Sequence, residues 1–272
     1  MAKAARKAEA TRTGTTASAT AAPARPVEPA WQGDSAWPAK MATVEAATPT
    51  AAPRYYPVFL DLRERRCVVV GGGELAADKA LELRAAGARV AVVAAQPGPA
   101  IEAMASRGEL RLRRRPYRAG DLAGAFLAIA AGSEPAEREA VWREASRRGL
   151  PLNSIDDLPR CSFIAPAVVR RGDLAVAIST AGRAPALAVR LRQWLEGELG
   201  TEHSRFLALA GSVRAALAAR QPDLSLRREL WYALVDSDVL ELLRRGDEAG
   251  ARRRFVEILG VKPPAAGAEE AG

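Results

Sequence analysis

The chain has 272 residues, enough for one or two domains, and 49% of them are hydrophobic, so a sizeable core can form. Forty Lys and Arg against 32 Asp and Glu leave a net charge of +8, which suits an acidic partner: nucleic acid, an anionic membrane, or a polycarboxylate or phosphate ligand. Two cysteines, Cys67 and Cys161, and one histidine, His203, exclude a disulfide framework and a structural zinc site, and the lack of any run of about 18 apolar residues argues against a membrane span.

Residues 1–53 are rich in Ala, Thr and Pro and poor in bulky apolar side chains. Such a segment cannot bury enough surface to offset its ordering entropy, so a disordered tail is expected. It has no apolar core of a secretory signal and only a weak likeness to a transit peptide, and Met41 is an alternative start; a cytoplasmic location is expected. Order begins at "YYPVFLDL", where Val58–Leu62 predicts a short strand. Cys67–Val70 is a continuous apolar run, the pattern of a strand buried on both faces. Three glycines follow, then a helical stretch with Ala76, Ala80 and Leu83 on one face and Gly87 at its end. Arg89–Ala95 predicts the next buried strand. Ala100–Gly108 predicts a helix, "ELRLRRRPY" a strand, Asp121–Leu122 the start of a short helix, and Ala125–Gly132 a strongly apolar strand. "EPAEREAVWREASRRG" predicts a helix with proline in its first turn, and Leu150–Ile155 another strand. Alternating strands and helices imply α/β architecture with a parallel sheet.

Beyond Cys161 the pattern changes. "SFIAPAVVRRGDLAVAIST" predicts a hairpin turning at Gly172-Asp173, and "APALAVRLRQWLEGEL" a helix. From His203 to about Leu259 the period is helical, interrupted at Pro222, and the last dozen residues are expected to be disordered. The expected organisation is a tail over 1–53, a nucleotide-binding sheet domain over 54–162, a small α+β region over 163–196, a helical domain over 197–260 and a tail over 261–272.

Gly71-Gly72-Gly73-Glu74-Leu75-Ala76 fits G-x-G-x-x-G/A between a predicted strand and a predicted helix. In a Rossmann-like domain Gly71 permits the tight turn, Gly73 lets backbone approach a pyrophosphate, and Ala76 allows close helix-to-strand packing, with the helix N-terminus attracting the anion. The acidic residue that usually reads the ribose hydroxyls about 20 residues on is missing from "VAVVAAQP", so the motif alone does not choose NAD over NADP. No Tyr-x-x-x-Lys pair offers the general acid of a short-chain dehydrogenase.

Four stretches, "YPVFLDLRERRCVVVGGGELAADKA", "FLAIAAG", "NSIDDLPRCSFIAPAVVRRGDLAVAIST" and "AGRAPALAVRLRQWLE", in this order and spacing resemble the siroheme synthase N-terminal module, over roughly Tyr55–Arg214. That family comprises precorrin-2 dehydrogenases, some of them also sirohydrochlorin ferrochelatases. The resemblance implies a Rossmann-like domain, NAD as hydride acceptor, precorrin-2 as substrate, sirohydrochlorin as product, and an intertwined homodimer formed through the region corresponding to Phe163–Leu195. The methyltransferase module fused in some relatives is expected to be absent. The family's catalytic aspartate maps to Asp156 in Asn153-Ser154-Ile155-Asp156, with Asp157 adjacent as a substitute. A carboxylate at the end of a parallel strand also sits where open α/β sheets bind ligands, and it can accept a proton, although a turn cap uses the same residue type.

Relatives carry Ser-Ser-Gly-Gly where this chain has Ser179-Thr180-Ala181-Gly182, followed by Arg183 and Pro185; this turn is expected to hold a substrate propionate, or to cap the next helix. Arg113, Arg114, Arg115, Arg170, Arg171, Arg183, Arg190 and Arg192 are the candidate guanidinium partners for a substrate with eight carboxylates. His203 reads as a helix-end residue. No residue separates dehydrogenase-only members from those that also insert Fe2+, and no resident metal is expected. The alternative class is a nucleotide-sensing Rossmann module without catalysis, which leaves Asp156 and the serine turn without a purpose. Charge alone suggests a nucleic-acid binder, but aromatics are only 5% and no reading motif is present, so neither nucleic acid nor membrane is an expected partner.

Overall fold

The computed structural model describes residues 55–132 and 134–264. The tail expected over 1–53 lies outside the described residues, as do residues 265–272 of the second.

Five strands form a parallel sheet in the order β3-β2-β1-β4-β5: β1 Arg66–Val70, β2 Arg89–Ala94, β3 Arg111–Arg114, β4 Leu127–Ala130 and β5 Leu152–Ser154. Successive side chains of a strand point to opposite faces. Cys67 and Val69 therefore join the core under α1 (Glu74–Ala85) and α2 (Pro99–Ser106), beside Ala76, Ala80, Leu83, Ile101 and Met104. Val68 and Val70 join the opposite core, with Leu122 and with Val141 and Ala145 of α3 (Pro135–Arg148). Both faces being covered is why β1, β2 and β4 read as unbroken apolar runs. The order reverses between β1 and β4, which makes the crevice beyond their carboxyl ends the ligand-binding position of such a sheet.

Two predicted elements are absent. Val58–Leu62 forms no strand, and Val58, Phe59 and Leu60 are exposed. The outer edge of β5 is already engaged by Ser162, whose backbone N–H donates to the Leu152 carbonyl (2.8 Å) and whose Oγ accepts the Leu152 N–H (2.7 Å). Asp121–Leu122 lies in turns between Gly120 and Gly124, both at positive φ, not in a helix. Asp121 is buried there, paired with Arg113 and with Arg115 (2.7 Å), and its backbone carbonyl accepts from Arg66 (2.9 Å). Ion pairing in this place ties the β3–β4 connection to the edge of the sheet.

The hairpin is β6 (Ala167–Arg171) and β7 (Leu174–Ile178), antiparallel, turning at Gly172-Asp173 as its sequence predicts. α4 (Pro185–Glu198) and α5 (Thr201–Arg220) pack on it. Arg171 donates to the carbonyls of Leu199 (2.6 Å) and Glu196 (2.7 Å), closing the C-terminal end of α4. α5 stops just before Pro222. Asp223 then caps α6 (Leu224–Val235) by accepting the N–H groups of Ser225 (2.7 Å) and Leu226 (3.1 Å). With α7 (Val239–Arg244) and α8 (Glu248–Leu259), these helices enclose a separate core of Leu209, Val213, Leu217, Leu234, Leu243 and Phe255.

Candidate active site

The glycine loop follows β1 at the point where the strand order reverses. Gly71 has φ +136°, and a side chain there would meet the backbone of Ala131 at 2.7 Å and of Gly132 at 2.8 Å, just past β4. Only glycine fits both demands. Gly72, the unspecified position of the motif, is tighter still: a Cβ would lie 2.1 Å from the Gln96 carbonyl, and the Gly72 carbonyl accepts the Gly98 N–H (2.8 Å). Gly73 differs. It is exposed, a Cβ there would meet nothing within 4 Å, and it is the N-cap of α1 with no side chain closing the cap.

The first turn of α1 therefore presents backbone N–H groups toward open space, and helix dipole and donors together suit a phosphate. Glu74 is exposed and offers its backbone N–H rather than its carboxylate. Leu75 is exposed on the rim, and Ala76 is fully buried against the sheet. The end of β2 carries Ala94, Ala95 and the exposed Gln96, with no carboxylate. A pyrophosphate fits this cradle, because the two glycines facing protein are sterically required and the third faces outward.

The second part of the site lies after β5, two strands over from β1. Ile155 N–H donates to the carbonyl of Ala130 (2.9 Å), the last residue of β4, so Asp156, two residues past the end of β5, follows a strand end tied to that of β4, whose next residues approach Gly71. Asp156 has φ +59° and is exposed, and among the described residues its carboxylate has no hydrogen bond or ion pair. Its neighbour is engaged: Asp157 Oδ2 accepts from Arg160 (2.6 Å) in the single 3-10 turn Leu158–Arg160. The two adjacent carboxylates, equivalent in sequence, thus differ in the structure. Only Asp156 is unengaged.

Leu158 of the same turn faces the serine turn, where a Cβ at Gly182 would lie 3.2 Å from its Cδ2. Ser179 Oγ accepts the Ala181 N–H (3.1 Å), and Thr180 Oγ1 accepts the Ala184 N–H (3.3 Å) at the start of α4. Each hydroxyl spends an acceptor lone pair on backbone and keeps its O–H to donate. Ala181 has φ +52°, the left-handed conformation glycine takes without strain. Arg183 is exposed, with no side-chain partner among the described residues.

The structure divides the eight arginines. Arg113 and Arg115 hold Asp121, and Arg114 pairs Glu102 (2.5 Å). Arg171 closes α4, Arg190 donates to Gln193 (3.2 Å), and Arg192 pairs Glu196. Arg170 and Arg183 are exposed without a side-chain partner among the described residues, and of the two Arg183 belongs to the serine turn. His203 lies in the first turn of α5, its Nδ1 3.3 Å from the Gly200 carbonyl. Pattern reading missed Leu158, which approaches the serine turn at Gly182; it included Gly72 with the motif but not the reason for a glycine there, since the clash partner Gln96 is 24 residues away. Among the described residues no cluster of His, Cys, Asp or Glu could hold a metal ion, and no helix is long and apolar enough to cross a membrane.

Comparison with known proteins places the fold and the family. A family model for NAD(P)-binding domains matches residues 58–167, one for the sirohaem biosynthesis protein central region matches 171–198, and one for the sirohaem synthase dimerisation region matches 203–259. The family's dimerisation region thus falls on α5–α8, C-terminal to the hairpin and α4. The siroheme synthase of Chromobacterium violaceum is 37% identical over 218 residues, covering 80% of this chain and 46% of that protein. That of Azotobacter vinelandii is 38% identical over 214 residues, covering 78% and 46%. The chain thus spans about half the length of these relatives. Among solved structures, SirC, a precorrin-2 dehydrogenase, superposes with a TM-score of 0.63 at 26% identity, over 76% of this chain and 99% of that one. The chain belongs to the siroheme synthase N-terminal module family.

Proposed function

We propose that this protein is an NAD-dependent precorrin-2 dehydrogenase that makes sirohydrochlorin for siroheme synthesis. The observation that carries the reading is a free, exposed carboxylate, Asp156, two residues past the end of β5, at the same carboxyl edge of the parallel sheet as the outward-facing glycine loop after β1. The likeness to SirC over 99% of its length supports it. A nucleotide sensor needs the cradle but not the carboxylate.

Gly71 and Gly72 set the loop, and Gly73 with the first-turn N–H groups of Glu74, Leu75 and Ala76 would hold the pyrophosphate of NAD. When bound, NAD supplies the hydride acceptor. Conversion of precorrin-2 to sirohydrochlorin removes a hydride and a proton, and Asp156 takes the proton, passing it to solvent because it is exposed. The Ser179 and Thr180 hydroxyls and the Arg183 guanidinium bind substrate carboxylates, with Gly182 leaving room for Leu158 beneath the turn. The chain acts as a homodimer. Fe2+ insertion is proposed as a second activity on the name of the 37% identical relatives, with iron as substrate and two pyrrole protons released.

The test is an anaerobic assay with precorrin-2 generated in situ and NAD, following NADH and the sirohydrochlorin spectrum before and after Fe2+ is added. Asp156→Asn is expected to lower turnover by roughly 100-fold or more while NAD affinity stays within a factor of two. NAD binding without NADH formation from precorrin-2 would return the protein to the sensor class.

A further inference from the structure

We propose that Arg160 is a positioning residue that holds Asp156 in its working conformation by clamping the Asp156 loop to α3; this rests on the proposed role of Asp156. A non-glycine residue at φ +59° is conformationally unfavourable, though Asp tolerates it better than most, and nothing bonded to the Asp156 side chain compensates. The conformation must therefore be imposed by its neighbours.

Three sets of bonds do so. Upstream, Ile155 is tied to β4 through the Ala130 carbonyl (2.9 Å). Across the bend, Asp157 N–H donates to the Ser154 carbonyl (3.2 Å), and Cys161 Sγ accepts the Ser154 N–H (3.2 Å). Downstream, the Arg160 fork is divided. Its Nη1 donates to Asp157 Oδ2 (2.6 Å), while Nη2 (2.8 Å) and Nε (3.1 Å) donate to Glu139 Oε2 on α3. The guanidinium also lies over the Trp142 ring, 5.6 Å from its centroid. Glu139 is itself fixed by Arg143 (2.7 Å) on the same helix. The first set fastens the start of the loop to β4, and the second is local to the loop. Arg160 is the one that fastens it to a packed helix, and its planar fork holds both carboxylates in a fixed geometry that a lysine ammonium, a rotatable point charge, does not reproduce.

The test measures kcat and KM for NAD, melting temperature, and a double-mutant cycle. Arg160→Ala is expected to lower kcat roughly 10- to 100-fold, the scale of a misplaced catalytic group, with KM for NAD unchanged. Arg160→Lys is expected to recover only part of that loss, and Glu139→Gln to show a smaller loss of the same kind; it also serves if the alanine variant does not fold. Combined with Asp156→Glu, which already displaces the carboxylate, Arg160→Ala is expected to cost less than it does alone. If Arg160→Ala keeps kcat within twofold, or costs the same factor in both backgrounds, while Asp156→Asn is inactive, the clamp is overturned and the function stands. Full turnover by Asp156→Asn would overturn the role of Asp156 and the clamp with it.

Discussion

β1 and β7 are both short apolar strands, yet they end in opposite environments. Cys67, Val68, Val69 and Val70 are almost completely buried, sandwiched between two helical layers. Leu174–Ile178 contains no buried residue, and β6 buries only Val169. α4 beside them buries only Ala188 and exposes Leu187, Val189, Leu191 and Trp194, the last at 59%. The sheet domain closes its core within the chain, and the hairpin with α4 does not. A contiguous exposed apolar face of this kind is ordinarily an interaction surface, and the proposed homodimer gives it a use. The lesson is that apolar sequence alone does not say which core it belongs to.

That contrast can be broken in order of expected effect. Gly72→Ala places a methyl group against the Gln96 backbone, which cannot swing aside as a flexible side chain would. A loss of about 3 kcal/mol in urea unfolding and at least tenfold weaker NAD binding are expected.

Asp121→Asn is next. Hydrogen bonds from Arg115, then the Arg118 N–H and Arg113, hold the Asp121 carboxyl far below the usual carboxylate range. A depressed folded-state value means stability that is fully present above the unfolded value, about pH 4, and lost as pH falls from there. The variant is therefore expected to be about 2–3 kcal/mol less stable at pH 7, with the difference narrowing toward pH 3; unfolding curves at the two pH values check it.

A pair of truncations then tests the contrast directly. Val69→Ala in the sealed sheet is expected to cost about 2 kcal/mol. Trp194→Ala is expected to change unfolding of the monomer by less than about 0.5 kcal/mol but to weaken self-association, read by sedimentation at falling concentration. Equal stability losses at the two sites would contradict the distinction between sealed and open regions. The smallest effect is Ala181→Gly. Relief of the left-handed backbone outweighs the added freedom of the unfolded chain, so stabilisation of about 0.5 kcal/mol is expected by thermal unfolding.

The sequence by itself determined the parallel sheet, the glycine loop and the hairpin. Each is written in neighbouring residues: unbroken apolar runs, a strand–glycine–helix order, and a Gly-Asp turn between apolar segments. Asp156 is singled out only through the resemblance to the family's Asn-x-x-Asp pattern; the residues alone leave a turn cap open. What the sequence could not separate depends on residues far apart in the chain. Asp156 and Asp157 look alike until Arg160 engages one of them, and the arginines look alike until Asp121, Glu102 and the carbonyls of Glu196 and Leu199 claim their partners. The Val58–Leu62 segment has the composition of a strand, yet it pairs with no strand and leaves Val58, Phe59 and Leu60 exposed, because composition does not supply a pairing partner. Local propensity and periodicity are properties of the chain; pairing, clash and charge neutralisation exist only once the tertiary structure brings their partners together.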